Sequence, residues 1–232
     1  MAEDTMGDDL AAQLNEVARA LHGRNGSQDT LDEIVRAAVD TIPGTWHAGI
    51  MTIVGKRDVR TVASTGDVPR DVDQVQYDTG QGPCLTALYQ QTIVRAPDLA
   101  EEARWPVFAQ RALALDVSSM LSFRLYVHGD DLGALNLYSP DVRAFDEESE
   151  HVGLLFAGHA AVALSTAQER EHLTEAVRTR DLIGQAKGIL MERHKLTADQ
   201  AFAVLVRASQ QANLKLRDLA EKLTRTGELP RG

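Results

Sequence analysis

Leu10, Leu14, Val17 and Leu21 recur at steps of four, three and four, the spacing of one face of an amphipathic helix, which His22-Gly23 and Asn25-Gly26 stop. A second helix is predicted from Asp29, with Leu31, Ile34, Val35, Ala38, Val39 and Ile42 on one side and Pro43-Gly44 at its end. The period then changes. Residues 46–54 and 59–64 are rich in Ile, Val and Thr and flank Gly55-Lys56-Arg57-Asp58, the pattern of a β-hairpin. Gly80-Gln81-Gly82-Pro83 breaks the chain ahead of a short helix over 84–91, and 92–94 reads as a strand. After a helix over 106–115, Leu121, Phe123, Leu125 and Val127 alternate with Ser122, Arg124 and Tyr126. Beyond a turn at 128–131, residues 133–138 return as the paired strand. About five strands with helices before, between and after them make an α+β fold on an antiparallel sheet.

From Asp146 the helical period resumes, and no Pro follows until Pro230. Val152, Leu155, Phe156, His159, Val162 and Ala163 form an apolar stripe; Gln168 to His172 dilute it, and Leu173, Ala176, Val177, Leu182 and Ile183 restore it, as in a long connector helix. The last fifty residues read as three helices. The first covers about 181–193. The second opens at Thr197-Ala198-Asp199-Gln200, a capping box in which each end side chain satisfies an orphan backbone donor, and turns Phe202, Leu205, Val206 and Ala212 to its apolar side. The third carries Leu216, Leu219, Ala220 and Leu223 and stops at Gly227. The expected division is an N-terminal helix over 1–28, an α+β domain over 29–167 and an all-α three-helix domain over 168–232.

Charge sharpens that division. The net charge of -10 over 232 residues conceals 12 Lys+Arg against 9 Asp+Glu in 168–232, and 12 against 25 in the rest. A polyanion is therefore expected to meet the C-terminal end. No run approaches the ~18 apolar residues of a membrane helix. The acidic start, Glu3, Asp4, Asp8 and Asp9 without Lys or Arg, and a single cysteine, Cys84, point to the reducing cytoplasm. The seven histidines form no His-Glu-x-x-His set, and phosphate-loop and nucleophile-elbow motifs are missing. An enzyme is not expected, and the residues identify no cofactor.

The segment Ile183-Gly184-Gln185-Ala186-Lys187-Gly188-Ile189-Leu190-Met191-Glu192-Arg193, continued by Ala201-Phe202, Leu205, Ser209, Asn213 and Lys215 to Ala220, resembles the signature of ANTAR domains, the RNA-binding outputs of antitermination regulators. The resemblance implies that the chain binds paired RNA hairpins with six-nucleotide loops as a homodimer, and so controls transcription termination or translation. On the residues themselves, Gly188 inside a helix costs ~1 kcal/mol relative to Ala, and Gly184 adds a second weak point. Either the glycines let the helix pack closely on Phe202, or a bare backbone lets RNA approach. Lys187 can neutralise a phosphate; Ser209, Gln210 and Asn213 share one side of the second helix and can reach base edges of an unstacked loop; Lys215 and Arg217 extend the basic surface, and Arg193 adds to it. The candidate RNA-binding residues are thus Lys187, Gly188, Arg193, Ser209, Gln210, Asn213, Lys215 and Arg217.

The sheet domain resembles GAF domains, small-molecule, light or redox sensors, on Gly80 to Cys84, Ala96-Pro97-Asp98, Trp105-Pro106 and Leu132 to Tyr138. The resemblance implies an unidentified small-molecule signal. Tyr77, Trp105, Ser122 and Arg124 are candidates to line its pocket, and Cys84 reads as a buried structural thiol. Two other readings stay open: a DNA-binding regulator, since three short helices with a basic face also suit a helix-turn-helix, and a ligand-binding dimeric adaptor without nucleic-acid binding.

Overall fold

The computed structural model describes Arg19 and residues 26–54, 58–127 and 130–228. The predicted seam from Leu10 to Leu21 and the two hairpin turns, 55–57 and 128–129, lie outside the described residues. The chain divides into two compact units, residues 1–169 and 170–232.

The first unit is α+β. Its helices are α1 (Ser27–Thr41), α2 (Asp67–Thr79), α3 (Pro83–Tyr89) and α4 (Pro106–Leu113), and its strands are β1 (His47–Val54), β2 (Asp58–Ser64), β3 (Ile93–Ala96), β4 (Ser119–Val127) and β5 (Asp130–Ser139). The strands pair in the order β2-β1-β5-β4-β3, every pairing antiparallel. The alternation along β4 sends Leu121, Phe123 and Leu125 to one face, where they meet Ile34 and Val35 of α1 and Val152 and Phe156 of the following helix, α5 (Glu147–His194). Gly153 lets α5 come down on that face, because a Cβ there would overlap the Phe123 ring. The opposite face carries α2, α3 and α4 over Met51, Met120, Ala134 and Tyr138.

Helix α2 is not among the elements predicted from the sequence. Val68, Val72, Val75 and Thr79 follow helical spacing, and Gly80 at φ +63 ends the run. Valines and aspartates lower its intrinsic helix propensity. Tertiary packing overrides that, with Val72 fully buried against the sheet-side cluster.

In the second unit α5 contributes its C-terminal part, followed by α6 (Ala198–Ala212) and α7 (Leu216–Thr226). The core is small and apolar: Ala186, Leu190, Ala201, Leu205, Leu219, Ala220 and Leu223. The expected capping box forms, the Gln200 N–H donating to Thr197 Oγ1 at 3.3 Å and the Thr197 N–H to Gln200 Oε1 at 2.9 Å. Two expectations are corrected. Phe202 is 42% exposed instead of lying on the inner side of α6. The stripe from Val152 to Ala163 also splits: Val152, Phe156 and Ala163 are buried in the first unit's core, whereas Leu155 and Val162 stay exposed. One residue of register, about 100° around the helix, separates the two sets, which periodicity of apolarity alone does not resolve.

Candidate functional site

Two places gather polar groups. The first is the middle of the sheet face under α2, α3 and α4. Register sets Val94, Ser122, Asn136 and Gly49 side by side across β3, β4, β5 and β1. Ser122 and Asn136 are fully buried, and Ser122 Oγ and both amide atoms of Asn136 lack a hydrogen-bond partner. Each such atom costs about 1 to 3 kcal/mol if it stays unpaired, so a polar ligand gains most at this row. On one side of it lie Val72, Trp105, Phe108, Met120 and Tyr138. On the other are Met51, Cys84, Leu88 and Ala134, with Tyr77 packed against them.

α2 brings a fully buried carboxylate to this face. Asp73 accepts from Tyr138 Oη at 2.5 Å, Thr61 Oγ1 at 2.7 Å and Gln76 Nε2 at 3.2 Å. Loss of hydration pushes its pKa up to about 6, although the three donors pull the other way. The same burial, with the Asp73 charge nearby, raises the Tyr138 and Tyr77 hydroxyls and the Cys84 thiol above their ordinary values, so these stay protonated. Gln76 also accepts from the Cys84 N–H at 3.0 Å. That approach needs Gly82, at φ +138, where a side chain would overlap the Gln76 amide.

Of the four residues predicted for a ligand pocket, Ser122 sits at the centre. Tyr77 shares a hydrogen bond with Thr61 at 3.0 Å. Trp105 is buried in the first cluster beneath the Arg104 guanidinium, 4.2 Å from its ring. Arg124 lies one step along β4, 6.0 Å from the Tyr126 ring. Asp73 and Asn136 were missed. Asn136 had a visible signal, a lone amide alternating with Leu135 and Leu137; Asp73 was hidden with its helix.

The second place is the surface of the C-terminal unit. Lys187 Nζ lies 5.8 Å from the Phe202 ring centroid. A Cβ built at Gly184 or Gly188 meets no atom within 4 Å, so close packing on Phe202 does not explain either glycine. At the turn from α6 to α7, Ser209 Oγ donates to the Leu214 carbonyl at 2.6 Å, and the Gln210 carbonyl accepts from the Asn213 N–H at 3.3 Å. Asn213 is exposed in the left-handed region at φ 50, and exposed Lys215 precedes α7. Arg193 donates to the Gly227 carbonyl, and Arg217 pairs with Glu175. Both guanidiniums thus have partners within the unit.

A family model for the GAF domain matches residues 25–165, and one for the ANTAR domain matches residues 171–223. The chain belongs to the GAF family and carries an ANTAR domain. The chain resembles solved structures at low identity, a likeness of fold alone. The GAF domain of an Acinetobacter phosphoenolpyruvate-protein phosphotransferase has 14% identity and a TM-score of 0.53 over 68% of this chain and 94% of that one. A free methionine-R-sulfoxide reductase from Neisseria meningitidis has 14% identity and a TM-score of 0.55 over 69% and 91%. A bacteriophytochrome from R. palustris has 12% identity and a TM-score of 0.60 over 86% and 47%. No curated protein matches the chain significantly. A signal-sensing GAF domain joined to an ANTAR antitermination module makes the chain a regulator. Among the described residues no helix is long and apolar enough to cross a membrane, and no group of three or more His, Cys, Asp or Glu is placed to hold a metal ion.

Proposed function

We propose that this regulator binds paired RNA hairpins through its ANTAR domain to control transcription termination or translation, in response to a small polar signal held by its GAF domain. The observation that carries the RNA reading is the segregation of chemistry in the C-terminal unit. Its buried core is wholly apolar, while Lys187, Gly188, Ser209, Gln210, Asn213 and Lys215 stand at least partly exposed in a segment with a surplus of basic residues. Charges that stay hydrated until they meet phosphate cost little to bring together with RNA, and the release of counterions favours the complex. Arg193 and Arg217 serve this surface indirectly, by fixing the end of α7 and by tying α7 to α5. Ser122 and Asn136, with Tyr77, Trp105 and Arg124 around them and Asp73 alongside, are the proposed seat of the signal.

The protein acts in the cytoplasm as a homodimer, since paired hairpins call for two ANTAR domains. Apolar side chains left outside both cores support the pairing: Leu155 and Val162 in the first unit, and Leu173 and Val177 in the second, are 40 to 61% exposed on α5. Covering either pair with a second copy removes it from water. The deciding experiment titrates the full chain with a hairpin RNA and with duplex DNA of the same sequence, beside sedimentation of the free protein. Preference for the RNA is the expected result. Equal or tighter binding to the duplex would establish a DNA-binding regulator, and no binding to either at low salt would leave a dimeric adaptor.

A further inference from the structure

The RNA-binding reading leaves Phe202 without a role, and the structure gives it one. The large ring stands in solvent although its neighbours in α6, Ala201 and Leu205, are fully buried. It forms one wall of a groove whose other lining residues all belong to α5: Arg180, Asp181, Ile183, Gly184, Gln185 and Lys187. Lys187 holds its ammonium over the ring, and Arg180 is exposed at the same groove. Gly184 contributes bare backbone, with nothing within 4 Å of where its Cβ would be. A helix gives up stability for such a glycine, and no contact with the described residues accounts for it here.

We propose that this groove seats one unpaired base of the hairpin loop, laid on the Phe202 ring, with Lys187 and Arg180 taking the flanking phosphates and Gly184 admitting the sugar-phosphate backbone against α5. The occupant follows from shape and charge together. An aromatic face next to two cations suits a splayed-out nucleotide, whose base stacks while its phosphate is neutralised. A duplex offers no free base face to such a groove. A partner helix would need a longer apolar strip than one ring and the half-buried Ile183. Asp181 on the α5 wall repels phosphate, which directs the backbone to the Lys187 and Arg180 side. When the base enters, Lys187 exchanges its contact with the ring for one with phosphate.

The test uses the full chain and a hairpin that it selects from a pool with six randomised loop nucleotides, remade with the fluorescent base 2-aminopurine at each loop position in turn. Binding should quench one loop position through stacking. Phe202→Leu should abolish the quench and weaken binding about 5- to 150-fold, the usual worth of one base on an aromatic side chain, with the melting curve retained. Phe202→Tyr should restore both. Gly184→Ala should raise the melting temperature of the C-terminal helices yet weaken binding, a pairing that a merely structural glycine does not produce. Wild-type affinity in Phe202→Leu would overturn the groove while leaving RNA binding in place. Failure of the wild-type chain to select any hairpin would instead remove the RNA reading beneath it. A shift in dimer dissociation in Phe202→Leu without RNA would assign the groove to a second copy and also overturn the proposal.

Discussion

Asp73, Ser122 and Asn136 are sealed between two apolar clusters of the GAF domain, whereas Lys187, Asn213 and Lys215 of the ANTAR domain lie over a core of seven apolar residues and keep contact with water. The proposed occupants account for the difference. A small signal offers few contacts, and each is stronger and more selective in a dry site, at the cost of desolvating the protein's own polar groups. RNA offers a dense line of charge, so hydrated cations suffice, and burying them would waste their attraction. One domain therefore stores polar strain in its interior, and the other has little interior at all.

The largest test of that contrast is in the small core. Leu205→Ala leaves a cavity costing ~2 to 5 kcal/mol. That is comparable to the whole stability expected of three short helices. The C-terminal helicity should melt tens of degrees early while the sheet domain keeps its transition, as read by circular dichroism beside the fluorescence of Trp46 and Trp105, both in the first unit. A single unchanged transition would show that the two units do not fold independently.

Asp73→Asn probes the dry interior. The folded pKa, about 6, stands above the ordinary 3.8. The favourable contribution of the protonated form is therefore fully present below about pH 4 and lost as the pH rises through about 6, a change on the order of 3 kcal/mol. Urea unfolding from pH 4 to 7 should show wild type losing about that much relative to Asp73→Asn. Parallel pH profiles would mean that Asp73 is already hydrated.

The contrast also explains what the sequence disclosed. The capping box at Thr197, the alternation along β4 and the stop at Gly227 are local, written in neighbouring residues, and were legible. The inward half of the α5 stripe, the exposure of Phe202 and the burial of Asp73 depend on which elements come together. No local period encodes that. Helix α2 escapes the pattern because Val72 and Asp73 disfavour helix in isolation, and with it goes the buried carboxylate of the proposed signal site. For the proposed RNA surface, residue type marks candidates, but only geometry shows that Arg193 and Arg217 already have partners in their own unit.

Asn213 separates fold from recognition. Its left-handed backbone, φ 50, closes α6, and Ala in that conformation costs ~1 to 2 kcal/mol. Gly does not. Asn213→Gly therefore keeps the turn and removes only the amide. Titration should show a loss of about 1 to 3 kcal/mol on the matched loop and almost none on a scrambled one. Equal affinities on both loops, before and after the change, would leave Asn213 a capping residue alone.

The smallest effect divides the basic residues of α7. Lys215 is exposed and makes no side-chain cap to the helix that follows it, so its ammonium can meet a phosphate at almost no structural cost. Arg217, two residues on, is half-buried against Glu175. Each phosphate contact releases about 0.7 to 0.9 of a counterion in the log-log salt dependence. Lys215→Ala should lower that slope by about one such increment on matched and scrambled hairpins alike, with the melting temperature unmoved. Arg217→Ala should do the reverse: the slope stays within error while the helices melt earlier, because Glu175 loses its partner. Identical slopes for wild type and Lys215→Ala would take Lys215 off the RNA. A lowered slope in Arg217→Ala would show that the ion pair opens to give its guanidinium to phosphate.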